Sequence, residues 1–261
     1  MSSTEWVVLE DEGGKTYLVE LVKDTVKIKG LGVFNPMAEL SGKAVGEKVT
    51  IGQKTLTKLS PRLPEIYRSM KRRAQTISSK DAGLLITRLG IGPGDVVLEA
   101  GLGSGGLSLH LARVLGNSGT LITVEMRDEH ADVGLANLTR ARDCLLEFPT
   151  HHHISGDIAE LNEDIIQSVG QLDAVILDLP DHKSAINAVA KLLTAGGRLA
   201  CYCPVTSQIE NSWEACEDNE LVVEWAGELM ERQWGRASKG GIRPVNGPFG
   251  HTAFLLIAHK R

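Results

Sequence analysis

From residue 82 onward, short apolar runs alternate with longer stretches whose apolar positions recur at helical spacing. The short runs are Val96 to Ala100, Thr120 to Val124, His152 to Ser155, Leu172 to Leu177 and Arg198 to Cys203. Their length and composition suit strands covered on both faces, as in a parallel sheet. Helices are predicted between them over 82–89, 107–115, 128–146, 184–193 and 207–218. Leu107, Leu111 and Leu115 fall on one face of the second of these, and Gly116 ends it. Asp81 is expected to cap the first. This alternation predicts an α/β protein with a Rossmann-like, doubly wound sheet.

The rhythm changes at both ends. Leu221 to Ala226 and Ala253 to Ala258 read as strands with no crossover helix between them, so they are expected to close the sheet as an antiparallel pair. The segment joining them, Arg232 to Gly250, is rich in glycine and basic residues and predicts a substrate-side loop. Near the start, Trp6 to Leu9, Thr16 to Leu21, Thr25 to Ile28 and Lys48 to Ile51 are short strands separated by Gly13-Gly14, Gly30, Gly32, Gly42, Gly46 and Gly52. Such frequent turns predict a small β-barrel or sandwich, and Pro61 and Pro64 mark its exit. The organisation expected is a small all-β N-terminal domain over residues 1–66, followed by the α/β domain over 67–261.

Charge refines this picture. The net charge of -5 conceals an asymmetry, because residues 15–88 hold 15 Lys or Arg against 6 Asp or Glu while residues 89–261 hold 13 against 23. A basic part joined to an acidic one suggests that the first grips a polyanion and the second does chemistry. At the junction, Arg68, Lys71, Arg72 and Arg73 lead into Gln75 and form a candidate phosphate-binding cluster, with a solvated helix face as the alternative. No apolar run approaches the roughly 18 residues of a membrane span, and Met1 to Gly14 carries acids where a signal peptide starts basic. A soluble, cytoplasmic protein is expected. Cys144, Cys201, Cys203 and Cys216 lack a C-x-x-C pair and read as buried free thiols. No metal site is expected at His151-His152-His153, since neighbouring residues on a strand point to opposite faces.

The chemistry centres on the stretch after the first core strand. Gly101, Gly103 and Gly106 match G-x-G-x-x-G, where absent side chains allow a tight turn and close approach to a nucleotide-like ligand. Glu99 stands at the strand's end, where a carboxylate would repel the pyrophosphate of a dinucleotide and would favour a cationic ligand group. Glu125 ends the next strand at a spacing suited to ribose hydroxyls, Asp157 lies beyond the third, and Asp178-Leu179-Pro180-Asp181 follows the fourth. Ligands of open α/β sheets bind at the carboxyl ends of strands, so these residues are expected to line one crevice. A nicotinamide-dependent oxidoreductase is disfavoured by Glu99 and by the terminal strand pair.

The loop Glu99-Ala100-Gly101-Leu102-Gly103-Ser104-Gly105-Gly106 resembles the cofactor loop of class I S-adenosylmethionine methyltransferases. Taken with Lys71-Arg72-Arg73-Ala74-Gln75-Thr76-Ile77, Lys80-Asp81, Leu177-Asp178-Leu179-Pro180 and Gly250-His251-Thr252, it resembles the tRNA adenine-58 N1-methyltransferases over nearly the whole chain. The resemblance implies S-adenosylmethionine as cofactor, tRNA as substrate and a homotetramer. By position it implies that Leu102 to Gly105 wraps the methionine part of the cofactor and that Glu125 binds its ribose. His130 lines the adenosine side, Asp157 sits by the cofactor adenine, and Asp178 holds the target adenine. Where that family shows an aromatic or apolar residue and Pro before Lys-Asp, this chain has Ser78-Ser79, and Leu102 is a second departure. The alternatives are a class I methyltransferase acting on protein or a small molecule, and a non-catalytic tRNA-binding subunit; the latter predicts a decayed glycine loop.

Overall fold

A computed structural model describes residues 5–160, 170–245 and 250–261. In the first part, β1 (Trp6–Asp11), β2 (Thr16–Glu20), β5 (Lys48–Ile51) and β6 (Lys54–Leu59) form an antiparallel sheet of order β2-β1-β6-β5. The strands β3 (Val26–Ile28) and β4 (Gly32–Phe34) pair separately, and a short helix α1 (Pro36–Leu40) follows. Sequence reasoning overlooked β4, β6 and α1. Strand β6 reads Lys-Thr-Leu-Thr-Lys-Leu, a polar alternation, and it pairs with β5 across a turn in which Gly52 has φ +60. Val7, Leu9, Tyr17, Val19, Leu40 and Leu56 form this part's own apolar core.

Helix α2 (Leu63–Ser69) leads out of it and crosses the expected boundary at residue 66, since Ile66 is buried in the core of the following part. Helix α3 (Ser79–Leu89) begins one turn earlier than expected. Its cap is Ser78, whose hydroxyl receives the Asp81 N–H at 3.5 Å and donates to the Asp81 carboxylate at 3.0 Å. Asp81 therefore sits inside the first turn, fully buried, with Lys80 Nζ at 2.6 Å.

The main sheet has seven strands in the order β12-β15-β11-β10-β7-β8-β9. These are β7 (Val96–Ala100), β8 (Thr120–Glu125), β9 (Thr150–Ser155), β10 (Leu172–Leu177), β11 (Leu193–Cys203), β12 (Leu221–Gly227) and β15 (Phe254–Lys260). Strands β7 to β11 pair in parallel, and β15 lies antiparallel to both β11 and β12. Helices α3, α4 (Gly106–Leu115) and α5 (Asp128–Cys144) cover one face, while α6 (His182–Val189) and α7 (Thr206–Asp218) cover the other. The order reverses between β10 and β7, which opens a crevice at their carboxyl ends.

Part of the expected loop over 232–250 is the hairpin β13 (Trp234–Arg236) and β14 (Ile242–Pro244); its residues 246–249 lie outside the described ones. The expected helix over 184–193 starts earlier and gives way at Ala190 to a single 3-10 turn, because Leu193 already belongs to β11. His151 and His153 share a face of β9 and both reach the Thr123 hydroxyl, at 2.9 and 3.0 Å, while His152 is exposed on the other face. All four cysteines are unpaired; Cys201, Cys203 and Cys216 are buried as expected, whereas Cys144 is only half-buried. Among the described residues, no helix is long and apolar enough to cross a membrane.

Candidate active site

Strand register brings the site together. Leu177 pairs with Ala100 and Ala100 with Val124, so Asp178, Gly101 and Glu125 emerge side by side at one sheet edge. Gly101 has φ +95, and a Cβ there would run into the Asp178 carbonyl oxygen; only glycine fits this approach. The turn ends at Gly105 (φ +76), which caps α4 and faces the Gly134 backbone, so this predicted ligand residue shapes the loop without lining the cavity.

A cavity of about 530 Å³ opens over the turn. Its walls include Glu99, Gly101 to Ser104, Gly106, Glu125 and His130 on the loop side, Asp178 to Pro180 beyond β10, and Tyr202, Gln208 and Thr252 opposite. Ala74 to Ile77 form a further wall. An adjoining chamber of about 220 Å³ shares Gly101, Glu125 and Asp178 and adds Asp157, Ile158, Val124 and Met126. Asp157 therefore lies in this second, mainly apolar chamber, where its carboxylate also receives the Ala159 N–H at 2.9 Å.

The electrostatics are set by carboxyl groups crowded at one sheet edge. Glu99 is buried and held by the Ser108 hydroxyl at 2.5 Å, and burial pushes its carboxyl up to about 8, with Asp178 and Glu125 adding repulsion. Asp178 is pushed up to about 7 by burial and by the Glu125 charge, with Arg127 opposing. Among the described residues, no donor bonds to the Asp178 carboxylate. Glu125 is oriented by the Gly103 N–H at 2.9 Å on one oxygen and by the Arg127 N–H at 3.1 Å on the other. His130 lines the cavity with its Nδ1 buried and unpartnered.

The candidate phosphate-binding cluster Arg68, Lys71, Arg72 and Arg73 lies at the junction of the two parts, and only Arg68 belongs to a helix. Arg68 lies in the last turn of α2 and reaches the Thr16 hydroxyl at 3.5 Å, whereas Lys71 to Arg73 lie on an irregular segment between α2 and α3 with their side chains exposed. Arg72 stands over the Tyr67 ring at 5.5 Å, and Arg73 meets Glu129 at 3.6 Å. Gln75, on the same segment, is exposed and lines the cavity mouth.

Several further residues belong to the site: Thr76, Lys80 and Thr252 stand in the motifs that carry the family resemblance without a role assigned to them there, while Tyr202 and Asn137 stand in none. Tyr202 and Thr252 come from strand ends distant in sequence, and Lys80 ties Thr252 to α3 by donating to its Oγ1 at 2.8 Å and to the Leu229 carbonyl at 2.7 Å. Thr76 presses on Gly106, where an added Cβ would lie 2.7 Å from the Thr76 Cβ. Asn137 is invisible in sequence because a lone Asn on a helix ordinarily faces solvent. The one available signal, Gly134 three residues earlier, marks where α5 approaches Leu102 and Gly103 too closely for a Cβ.

Comparison with known proteins finds relatives along nearly the whole chain. Residues 57–235 match the family described as tRNA methyltransferase complex GCD14 subunit. The chain is 31% identical to the tRNA (adenine(57)-N(1)/adenine(58)-N(1))-methyltransferase TrmI of Methanocaldococcus jannaschii, over 96% of this chain and 93% of that one. It is 30% identical to the tRNA (adenine(58)-N(1))-methyltransferase TrmI of Thermus thermophilus, over 97% of this chain and 96% of that one. Among solved structures, a SAM-dependent O-methyltransferase from Thermotoga maritima superposes with a TM-score of 0.79 at 27% identity, covering 100% of this chain and 94% of the other.

Proposed function

Because this chain belongs to the family of the tRNA methyltransferase complex GCD14 subunit, we propose that it transfers a methyl group from S-adenosylmethionine to N1 of adenine 58, and of an adjacent adenine where one is present, in the T-loop of tRNA. The observation that carries the reading is the set of three clustered carboxyl groups, the buried Glu99 and Glu125 and the half-buried Asp178, around a glycine turn and beneath an exposed basic triplet.

The cavity fits the cofactor on three counts. Its carboxylates suit a ligand with two positive groups, its glycine turn leaves room for a backbone-hugging chain, and His130 Nδ1 awaits a polar partner. Bound S-adenosylmethionine supplies an electrophilic methyl group on a sulfonium cation. In this reading Gly101, Leu102, Gly103, Ser104 and Gly106 hold its methionine part, with Glu99 supporting the loop from below. Glu125 takes the ribose hydroxyls, His130 borders the adenosine, and Asp157 accepts the adenine amine in the second chamber.

Asp178 stands between the two chambers and is the catalytic residue. Its carboxylate accepts a hydrogen bond from the exocyclic amine of the target adenine, which holds the ring in one plane and aims the N1 lone pair at the incoming methyl group. As N1 becomes cationic, the same carboxylate stabilises the growing charge or takes the amine proton. A carboxyl raised to about 7 suits that transfer near neutral pH. Tyr202 and Thr252 complete the wall facing the target base.

The target base must leave the folded tRNA to enter, so the protein needs a grip on the surrounding backbone. Arg68, Lys71, Arg72, Arg73 and Gln75 provide it, together with the basic N-terminal part. We take residues 1–66 as the tRNA-recognition domain and 67–261 as the methyltransferase domain, with α2 packed on both. Homotetrameric assembly and a cytoplasmic place belong to the same reading, by family resemblance.

The test is methylation of an unmodified tRNA transcript with labelled S-adenosylmethionine, followed by nucleoside mass spectrometry and positional mapping. The expected product is 1-methyladenosine in the T-loop. A 2′-O-methylated nucleotide, or no tRNA product, overturns the proposal.

A further inference from the structure

The segment that carries the basic triplet is also a wall of the cofactor cavity. Residues 71–76 form neither helix nor strand and run between two buried anchors, Met70 and Ile77. Ala74, Gln75 and Thr76 line the cavity together with the anchor Ile77, while the side chains of Lys71, Arg72 and Arg73 are exposed on the outer side. Two buried side chains clasp this backbone to the glycine turn. The Ser104 hydroxyl receives the N–H groups of Arg73 and Ala74 at 3.0 and 2.9 Å. Asn137, on α5, receives the Lys71 N–H at 3.0 Å, and its amide nitrogen donates to the Lys71 carbonyl at 2.8 Å and to the Ser104 carbonyl at 2.9 Å.

We propose that Asn137 is a positioning residue that couples cofactor binding to tRNA binding, by locking the basic segment and the glycine turn into one unit. The inference rests on the functional reading above. Asn137 is 1% exposed and does not line the cavity, so it would touch neither ligand. Its amide orientation is set by Arg140, whose Nη2 donates at 2.6 Å to the Asn137 oxygen. A guanidinium has no acceptor, so the oxygen must face it and the nitrogen must face the two carbonyls. The segment and the turn therefore share a single hydrogen-bonding hub. A cofactor bonded to the turn favours the docked segment from inside, and phosphates on the triplet favour it from outside. Each ligand thus removes part of the ordering cost that the other would meet, and the linkage is reciprocal.

Calorimetry of S-adenosylhomocysteine binding to the full chain, with and without saturating unmodified tRNA, measures the coupling directly. Wild type should bind S-adenosylhomocysteine at least about fivefold more tightly with tRNA present, within the usual range of allosteric coupling. In Asn137→Ala the ratio should fall towards one. Asn137→Asp guards against a folding defect, because it keeps the shape and loses the two N–H donors. A purely structural role would weaken both affinities and leave their ratio intact. A ratio of one in wild type, or an undiminished ratio in both variants, overturns the proposal. If the chain binds and methylates tRNA with a ratio of one, only the coupling fails; if it neither binds nor methylates tRNA, the functional reading fails with it.

Discussion

Replacing Asp178 by Asn tests the catalytic assignment most directly, because the amide keeps the size and one acceptor of the carboxylate while removing its charge and basicity. In the free protein, burial and the neighbouring Glu125 raise the Asp178 carboxyl to about 7, so at neutral pH a large share of the molecules carry it protonated. Only the ionised form can stabilise a cationic adenine or take its amine proton. It follows that kcat/KM of wild type should rise with pH up to about 7 and fall about tenfold per unit below it. In the ternary complex the positive cofactor favours the ionised form, so the break in kcat should lie below that in kcat/KM. Removing a charge-stabilising group from a water-poor site costs roughly 2–4 kcal/mol in the barrier, or about 30- to 1000-fold in rate. Single-turnover transfer to a tRNA transcript, from about pH 5.5 to 8.5, gives both quantities. Asp178→Asn should be slow and flat across that range while still binding S-adenosylhomocysteine within a few fold of wild type. An Asn variant with wild-type kcat, or with the same pH break, would refute the role.

Three further perturbations follow from the same geometry. Glu99 has a folded pKa of about 8 against an ordinary 4.5, so the ligand-free protein should lose stability as pH rises between those values, at up to about 1.4 kcal/mol per unit; Glu99→Gln should flatten that slope in denaturant melts, and an unchanged slope would place the titration elsewhere. Neutralising Lys71, Arg72 and Arg73 together should weaken tRNA binding and reduce its log–log salt slope by about 0.7–0.9 for each phosphate these side chains neutralise, measured by fluorescence titration over a salt series; affinity and slope equal to wild type would reduce them to solvated surface. Gly106→Ala places a methyl 2.7 Å from the Thr76 Cβ and should destabilise by about 1–3 kcal/mol with weakened S-adenosylhomocysteine binding; Thr76→Gly in the same chain, which removes that Cβ, should restore part of both, and no restoration would locate the strain elsewhere.

Local patterns along the chain determined the core strands, the helices between them and the glycine turn, because each rests on neighbours only a few residues apart. Val96 to Ala100 leads into Gly101, Gly103 and Gly106 in any fold that buries the strand on both faces. Glu125, Asp157 and Asp178 fall on one edge for the same reason: parallel strands bring their carboxyl termini to one side. The tertiary structure decided what depends on contacts across long stretches of chain. It replaced Asp81 by Ser78 as the cap of α3, since the buried Asp81 carboxylate is taken by Lys80 and Ser78. It divided the carboxylates between two chambers, raised the pKa values of Glu99 and Asp178 through burial, and brought Tyr202 and Thr252 to the cavity. Most of all, it laid residues 71–76 across the glycine turn, held by Ser104 and by an asparagine 66 positions beyond Lys71. Helical periodicity cannot disclose that arrangement, because one buried amide leaves no repeating trace in the sequence and acquires its meaning only from the two backbones it joins.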